Sequence, residues 1–168
     1  MTKHFSARMH FIRNHPLYLS SYARLAELEK DRIFCCHQMN HLLDVARIAC
    51  ILNLERNLGI EKDMIYSAAL LHDIGKYRQY EEGVPHEISS TEIAETVLSD
   101  MPADICFSGN EQQIILTAIT GHRKLRENPE ALEALIYESD KASRACFACP
   151  AEPECNWSKT KKNWEIYI

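Results

Sequence analysis

The stretch Ala68–Lys76, AALLHDIGK, constrains this chain more than any other. An apolar run drives straight into His72 and Asp73, followed by Ile74, Gly75 and Lys76. Met64, Ile65, Ala68, Ala69, Leu70 and Leu71 leave almost no polar face, so the helix they form should be buried nearly all round. Gly75 reads as the left-handed residue that stops it. An imidazole and a carboxylate side by side at the inner end of a buried helix are costly to desolvate. They need a partner, and a divalent cation is the obvious one.

A chain of 168 residues is one domain with one proper core. The balance of 19 basic against 24 acidic residues, net −5, argues against a nucleic-acid polymer or a membrane as partner. No apolar run approaches a membrane span, and the opening MTKHFSARMHF lacks the apolar block of a signal peptide. Seven cysteines without such a signal point to thiols in a reducing compartment, so the expected location is cytoplasmic. Five glycines and few alternating β-branched runs favour helices. The expected class is all-α.

In chain order, His4, His10 and His15 sit in an aperiodic stretch and read as surface residues. Pro16 suits a first helical turn, with Tyr18, Tyr22, Leu25 and Leu28 as its apolar stripe. A long helix is expected from Cys36 to Leu58, closed by Gly59, with His41, Val45, Ile48 and Leu52 on its buried side and His37 one turn earlier. Asp63 is a candidate cap for the next helix. Residues 77–85, YRQYEEGVP, read as a surface loop, after which Ser89 and Glu92 have capping-box spacing. Ser108 and Glu111 repeat that spacing before a helix with Ile115, Ala118, Ile119 and His122 on one face. Asn128-Pro129 reads as a cap and first-turn proline before a last helix carrying Leu132, Leu135, Ile136 and Asp140.

His41, His72 with Asp73, His122 and Asp140 each extend an apolar stripe with a side chain that ligates metals. One such histidine is ordinarily a satisfied core residue; several on converging helices point to a cation. No Lys or Arg shares the stripe of Asp140, so its charge requires one. Oxygen and imidazole donors suit zinc, iron, manganese or cobalt.

The order His41, His72-Asp73, Asp140, within HLLDVARIA, LLHDIGK and YESDKAS, resembles the HD superfamily of metal-dependent phosphohydrolases. The resemblance covers residues 33–145. His86 in VPHE and His122 in AITGHR fall where the binuclear subgroup, which includes bacterial symmetrical diadenosine tetraphosphate hydrolases, has two further histidines. It implies a compact helical bundle with two divalent first-row ions. His41, His72, Asp73 and Asp140 would hold one, His86 and His122 the other, with Asp73 between them. It implies attack of a metal-bound hydroxide on the phosphorus of a small phosphate ester or nucleotide. Lys76 and Arg123 are the candidates to stabilise the transferring phosphoryl group, with Arg78 and Lys124 behind them. Asp44 is a candidate to orient an imidazole, and His37 to touch substrate or simply pack. Two other readings stay open: a mixed-valence di-iron oxygenase on the same ligands, and a nucleotide-sensing module without catalysis.

The segments expected are 1–32, an N-terminal segment with the first helix; 33–145, the hydrolase-like domain; and 146–168, an irregular tail packed on it. Cys146, Cys149 and Cys155 in that tail fall outside the resemblance. They suit a structural zinc with Cys106, Cys35 or Cys36 as fourth ligand, an iron–sulfur cluster, or buried free thiols. Cys50 reads as core. Oligomeric state is not legible.

Overall fold

A computed structural model describes residues 6–166, so His4 lies outside the described residues. Helices α1 (Ala7–Asn14), α2 (Pro16–Leu28), α3 (Met39–Glu55), α4 (Lys62–Leu71), α5 (Lys76–Glu82), α6 (His86–Ser99), α7 (Gly109–Gly121) and α8 (Ala131–Ala142) carry the fold. Three single 3-10 turns follow at Cys146–Ala148, Glu152–Glu154 and Lys159–Lys161. No strand occurs among the described residues, so the molecule is all-α.

Helix α4 is the axis of the bundle. Met64, Ile65, Ser67, Ala68, Ala69, Leu70 and Leu71 are all buried on it, and α1, α3, α6, α7 and α8 all pack against it. The small residues Ala68 and Ala69 let these neighbours approach closely, while Ile65 and Leu71 fill the space between them with no exposed surface. Ile12 of α1 and Tyr18 of α2 belong to the same core cluster, so the N-terminal helices share that core.

Several local readings are corrected. Helix α3 runs only from Met39 to Glu55. The chain then reverses through Asn57 and Gly59, with φ of 52° and 70°. Asn53 closes that turn by accepting from Ile60 N and donating to Ile60 O, both at 3.0 Å. Residues 76–82 form α5: they are sound helix formers, ended by Gly83 at φ 74°, and Arg78 and Glu82 pair one turn apart. Polarity alone had suggested a loop. Residues 7–14 are helical as well, with Ser6 as cap. His15 caps α2 through Leu17 N and meets Asp100 at 3.1 Å; His10 is exposed, as expected.

Asp63 does not cap α4; Glu61 occupies that position, and Asp63 accepts from Ser6 Oγ. Ser89 lies inside α6, which begins at His86 after Pro85. The cap of α8 is Glu130, in a reciprocal box with Glu133, and not Asn128. Pro16 and the Ser108–Glu111 box stand where the sequence puts them.

Gly75 is also corrected. Its φ of −86° is accessible to any residue. What requires glycine is proximity: a Cβ there would lie 2.4 Å from Ser90 N and 2.5 Å from the Ser89 carbonyl carbon. Ser90 Oγ accepts from Gly75 N and Ser89 Oγ donates to Gly75 O, each at 2.9 Å. Helix α6 is thereby held against the turn that carries His72 and Asp73.

Candidate metal centre

The turn after α4 places Asp73 in the middle of four imidazoles, that of His72 beside it and three from other elements. Its Oδ2 lies 3.0 Å from His72 Nε2 and 3.3 Å from His41 Nε2. Its Oδ1 lies 3.1 Å from His86 Nε2 and 3.5 Å from His122 Nε2. Each oxygen therefore faces its own histidine pair. Asp140, from the end of α8, brings Oδ1 to 3.5 Å from His41 Nε2. The ligand atoms form two sets, His41, His72, Asp73 and Asp140, and Asp73, His86 and His122, each within 4.8 Å mutually. His72, Asp73, His86, His122 and Asp140 are buried, and His41 is half-buried.

The hydrogen bonds behind the rings fix which nitrogen faces inward. His72 Nδ1–H donates to Ala69 O at 2.7 Å, and His122 Nδ1–H to Ile119 O at 2.5 Å. Both are carbonyls one turn back on the ring's own helix. His86 Nδ1–H donates to Gln79 Oε1 at 2.5 Å. His41 Nδ1–H donates to Ser143 Oγ at 3.2 Å, whose hydroxyl is itself donated to Asp140 O. With every Nδ1 occupied, each ring turns Nε2 inward, and in the neutral form that nitrogen offers a bare lone pair. His41 and His72 face each other at 3.3 Å, and His86 and His122 at 3.0 Å. Asp73 Oδ1 is buried without a hydrogen-bond partner. Converging lone pairs around an orphaned carboxylate oxygen are costly to bury, and divalent cations satisfy them. The residues present fit such ions.

The electrostatics agree. Burial opposes the charge of Asp73, but His72 and His37 beside it hold its carboxyl well below the usual range. Asp140 is likewise held down to about 2, against burial, by His72, Lys141 and Arg144. Burial disfavours the His72 imidazolium, yet the Asp73 and Asp140 carboxylates carry its pKa upward. His86 goes the other way, to about 4, because desolvation outweighs the pull of the Asp73 carboxylate. His86 is thus neutral at physiological pH, as a ligand must be.

Asp140 does have cationic neighbours: Lys141 Nζ at 2.6 Å and Arg144 Nη2 at 3.1 Å, both on Oδ2. Only Oδ1 is left to the centre.

The remaining predicted residues divide. Lys76 is half-buried, with Nζ 3.1 Å from His86 Nδ1, and burial lowers its pKa. Arg123 is 46% exposed, its guanidinium held by Glu87 at 3.0 Å. Arg78 is engaged by Glu82 and Glu92. Asp44 is exposed and pairs with Arg47, so it orients no imidazole. The orienting acceptors are Ala69 O, Ile119 O, Gln79 and Ser143, which the sequence did not reveal.

Glu29 was also missed. It is 1% exposed, accepts from His37 N at 2.7 Å and from Tyr80 OH at 2.7 Å, and takes His37 Nδ1–H at 2.6 Å. His37 Nε2 then stands 4.0 Å from Asp73 Oδ2. The signal was available: Glu29 falls four residues after Leu25, on the stripe of Tyr18 and Tyr22.

Comparison with known proteins follows the same residues. A family model described as HD domain matches residues 39–145. An uncharacterized protein of Clostridium beijerinckii is 46% identical over 160 residues, covering 95% of this chain and 98% of that protein. Ribonuclease Y of Enterococcus faecalis is 27% identical over 127 residues, 76% of this chain but 22% of that protein. Ribonuclease Y of Nitratiruptor sp. is 33% identical over 96 residues, 57% of this chain and 16% of that protein. The chain thus spans less than a quarter of those ribonucleases. The crystal structure of a predicted HD superfamily hydrolase from an uncultured Thermotogales bacterium has a TM-score of 0.63 at 18% identity, covering 89% of this chain and 81% of that one. At that identity it supports the fold.

Proposed function

This chain belongs to the HD domain family, and from that premise we propose that it is a metal-dependent phosphohydrolase acting on a small phosphate ester or nucleotide. The observation that carries the reading is Asp73, whose two oxygens address two separate imidazole pairs. His41, His72, Asp73 and Asp140 would hold one divalent ion, and Asp73, His86 and His122 a second. Bound there, the ions supply an activated water and positive charge for phosphoryl oxygens.

The chain's own groups do the rest. Lys76 sits beside His86, where an ammonium balances charge developing on a transferring phosphoryl group. His37 is held by Glu29 through Nδ1 and presents Nε2 near Asp73. That places it to pass a proton to the leaving oxygen as the bond from phosphorus to that oxygen breaks. His37 and Lys76 line one cavity together with Arg32, Arg144 and Lys162 and with Glu152 and Glu154, a small excess of cations on a chain of net −5. A short anionic substrate suits that distribution better than a polymer does.

The test is phosphate or nucleotide release from a panel of nucleotides, dinucleoside polyphosphates and short oligoribonucleotides, with manganese, cobalt or iron(II) supplied. Turnover of a small phosphate compound that disappears in Asp73→Ala is expected. Cleavage confined to oligoribonucleotides would move the substrate class toward that of the Ribonuclease Y relatives. A metal-loaded chain that consumes dioxygen with polyols, or binds nucleotides without turnover, would overturn the hydrolase reading.

A further inference from the structure

A third group of metal-ligand side chains lies outside the His/Asp centre. Cys35 precedes α3, and Cys146, Cys149 and Cys155 follow α8. Helices α3 and α8 pack together, and all four cysteines line the cavity of about 600 Å³ that His37 and Lys76 also line. The other three thiols go elsewhere. Cys36 Sγ turns to the carbonyls of Phe34, Arg32 and Glu29 at 3.5, 3.8 and 3.9 Å. Cys106 Sγ faces Ala103 O at 3.5 Å, and Cys50 packs against the core from α3. Of the candidates for a fourth thiol, the fold selects Cys35.

The surroundings of this cavity are incomplete without an occupant. The tail has almost no core of its own. Ala151, 5% exposed, is its only buried apolar residue among those described, while Phe147, Trp157 and Trp164 are 47, 38 and 44% exposed. Three successive turns are nevertheless ordered there, an entropic cost that apolar burial does not offset. Arg144 stacks on Trp157 with its guanidinium 3.9 Å from the ring. Its Nη1 is buried with no hydrogen-bond partner and calls for an anionic acceptor.

We propose that Cys35, Cys146, Cys149 and Cys155 ligate an iron–sulfur cluster that fixes the tail to the bundle. Cysteine thiolates, two of them in a Cys-x-x-Cys pair, are the usual ligands of such clusters. Each ligating thiol gives up its proton, and the resulting negative charge faces Arg32, Arg144 and Lys162, which line the cavity with Glu152 and Glu154; Lys162 is paired to Glu152, and Arg144 keeps Nη1 free beyond its contact with Asp140. A single zinc fits less well. Its Zn–S bonds would draw the four sulfurs to about 3.8 Å from one another. Among the described residues, the ligand atoms that approach mutually within 4.8 Å are those of the two His/Asp sets, not these sulfurs. The proposal does not rest on the phosphohydrolase reading.

The test uses the full chain purified without oxygen, or reconstituted anaerobically with ferrous iron and sulfide. Expected are acid-labile sulfide together with iron, and a broad visible absorption that dithionite bleaches. Cys35→Ala and Cys149→Ala should each lose most of the sulfide and colour. Cys36→Ala and Cys106→Ala should keep both, and Asp73→Ala should keep the sulfide while losing the other metals. Should a ligand variant fail to fold, alkylation of the native wild-type chain decides. Cys35 is exposed by area, but burial pushes its thiol pKa up, so the comparison is of Cys35 with itself: a ligated thiol is protected until iron is stripped, whereas a free one reacts at the same rate before and after. Zinc bound without sulfide, wild-type sulfide in Cys35→Ala, or alkylation of Cys35 unchanged by stripping the iron would each overturn the proposal.

Discussion

Gly75→Ala isolates what the glycine of the HDIGK segment contributes. The added Cβ would stand 2.4 Å from Ser90 N, 2.5 Å from the Ser89 carbonyl carbon and 2.7 Å from Ser89 Oγ. The first two are backbone atoms inside α6 and cannot rotate away. Because φ at Gly75 is −86°, no dihedral penalty enters, and the cost is steric. Overpacking of this kind costs about 1–3 kcal/mol, and contacts this short against backbone put it at the upper end. Loss of glycine's freedom in the unfolded chain returns about 0.5 kcal/mol. The net destabilisation is about 2.5 kcal/mol, which for a chain of this size lowers Tm by about 5–10 °C. The same wedge pushes α6 from the turn, and His86 with it, from its 3.1 Å approach to Asp73 Oδ1. Metal content should therefore fall along with Tm. Gly83→Ala is the control. With φ +74° and nothing within 4 Å, it carries only the left-handed penalty of about 1–2 kcal/mol and should leave the metals in place. Thermal unfolding followed by circular dichroism, with elemental analysis of the dialysed chains, reads both effects. If Gly75→Ala melts within about 2 °C of the wild type, or keeps its full metal content, the close-approach argument is wrong.

Asp73→Asn should strip both ions, whereas Asp140→Asn should remove one, since Asp140 belongs to only one ligand set; equal losses in elemental analysis would contradict the two-set arrangement. Lys76→Ala should lower turnover on whichever phosphate compound is cleaved while leaving metal content intact, and unchanged kinetics would remove it from the mechanism. For Glu29, burial opposes the charge but the bonds from His37 and Tyr80 win, and its pKa is lowered. Its stabilisation is therefore present above the ordinary glutamate pKa of about 4.3 and lost as pH falls through the lower folded value. Urea unfolding should find Glu29→Gln less stable at neutral pH by about 1.5–3 kcal/mol, with the gap closing in acid; a pH-independent gap would refute the charged assignment. Because the His72 pKa is raised and that of His86 is about 4 in the metal-free chain, metal loading near neutral pH should release protons, read by calorimetry in buffers of different ionisation enthalpy. Metal uptake with no proton release would contradict the upward shift at His72.

The parts of the fold legible in the sequence were those governed by periodicity and by rules acting within one element. Helix α4 declared itself through an unbroken apolar surface, and the stripes ending in His122 and Asp140 ran to the centre because a helix face is a local property. The Ser108–Glu111 box was legible for the same reason. On α3 the buried face is Leu42, Val45, Ala46, Ala49 and Asn53, and His41, Ile48 and Leu52 are only half-buried beside it. What failed depended on long-range partners. Helix α5 has no buried residue, so it carried no periodic signal. Ser89 matched a capping pattern but spends its hydroxyl on Gly75, fourteen residues earlier. Gln79 orients His86 across a turn no spacing rule describes. Glu29 could have been found, because a carboxylate continuing an apolar stripe is the same anomaly that exposed Asp140; its place in a charged run hid it.

Asp140 shows why a correct residue can be reached by an incomplete argument. The premise that no basic side chain balanced it is wrong, since Lys141 and Arg144 both hold Oδ2. Had charge neutrality alone determined the site, those two cations would have satisfied the aspartate and left nothing for a metal. A carboxylate, however, has two oxygens with separate directions, and each must be accounted for separately. Oδ2 faces the basic residues, while Oδ1 faces His41. The basic pair then acts as a brace: it fixes the rotation of the carboxylate and keeps it ionised in a buried setting, down to a pKa of about 2. Asp73 solves the same problem differently, with no Lys or Arg on either oxygen among the described ion pairs and imidazoles on both. Its charge is answered by imidazoles, those of the two sets and that of His37 beside them. That asymmetry makes Asp73 the residue the two candidate sets share, and Asp140 a member of one set that the surrounding protein holds in place.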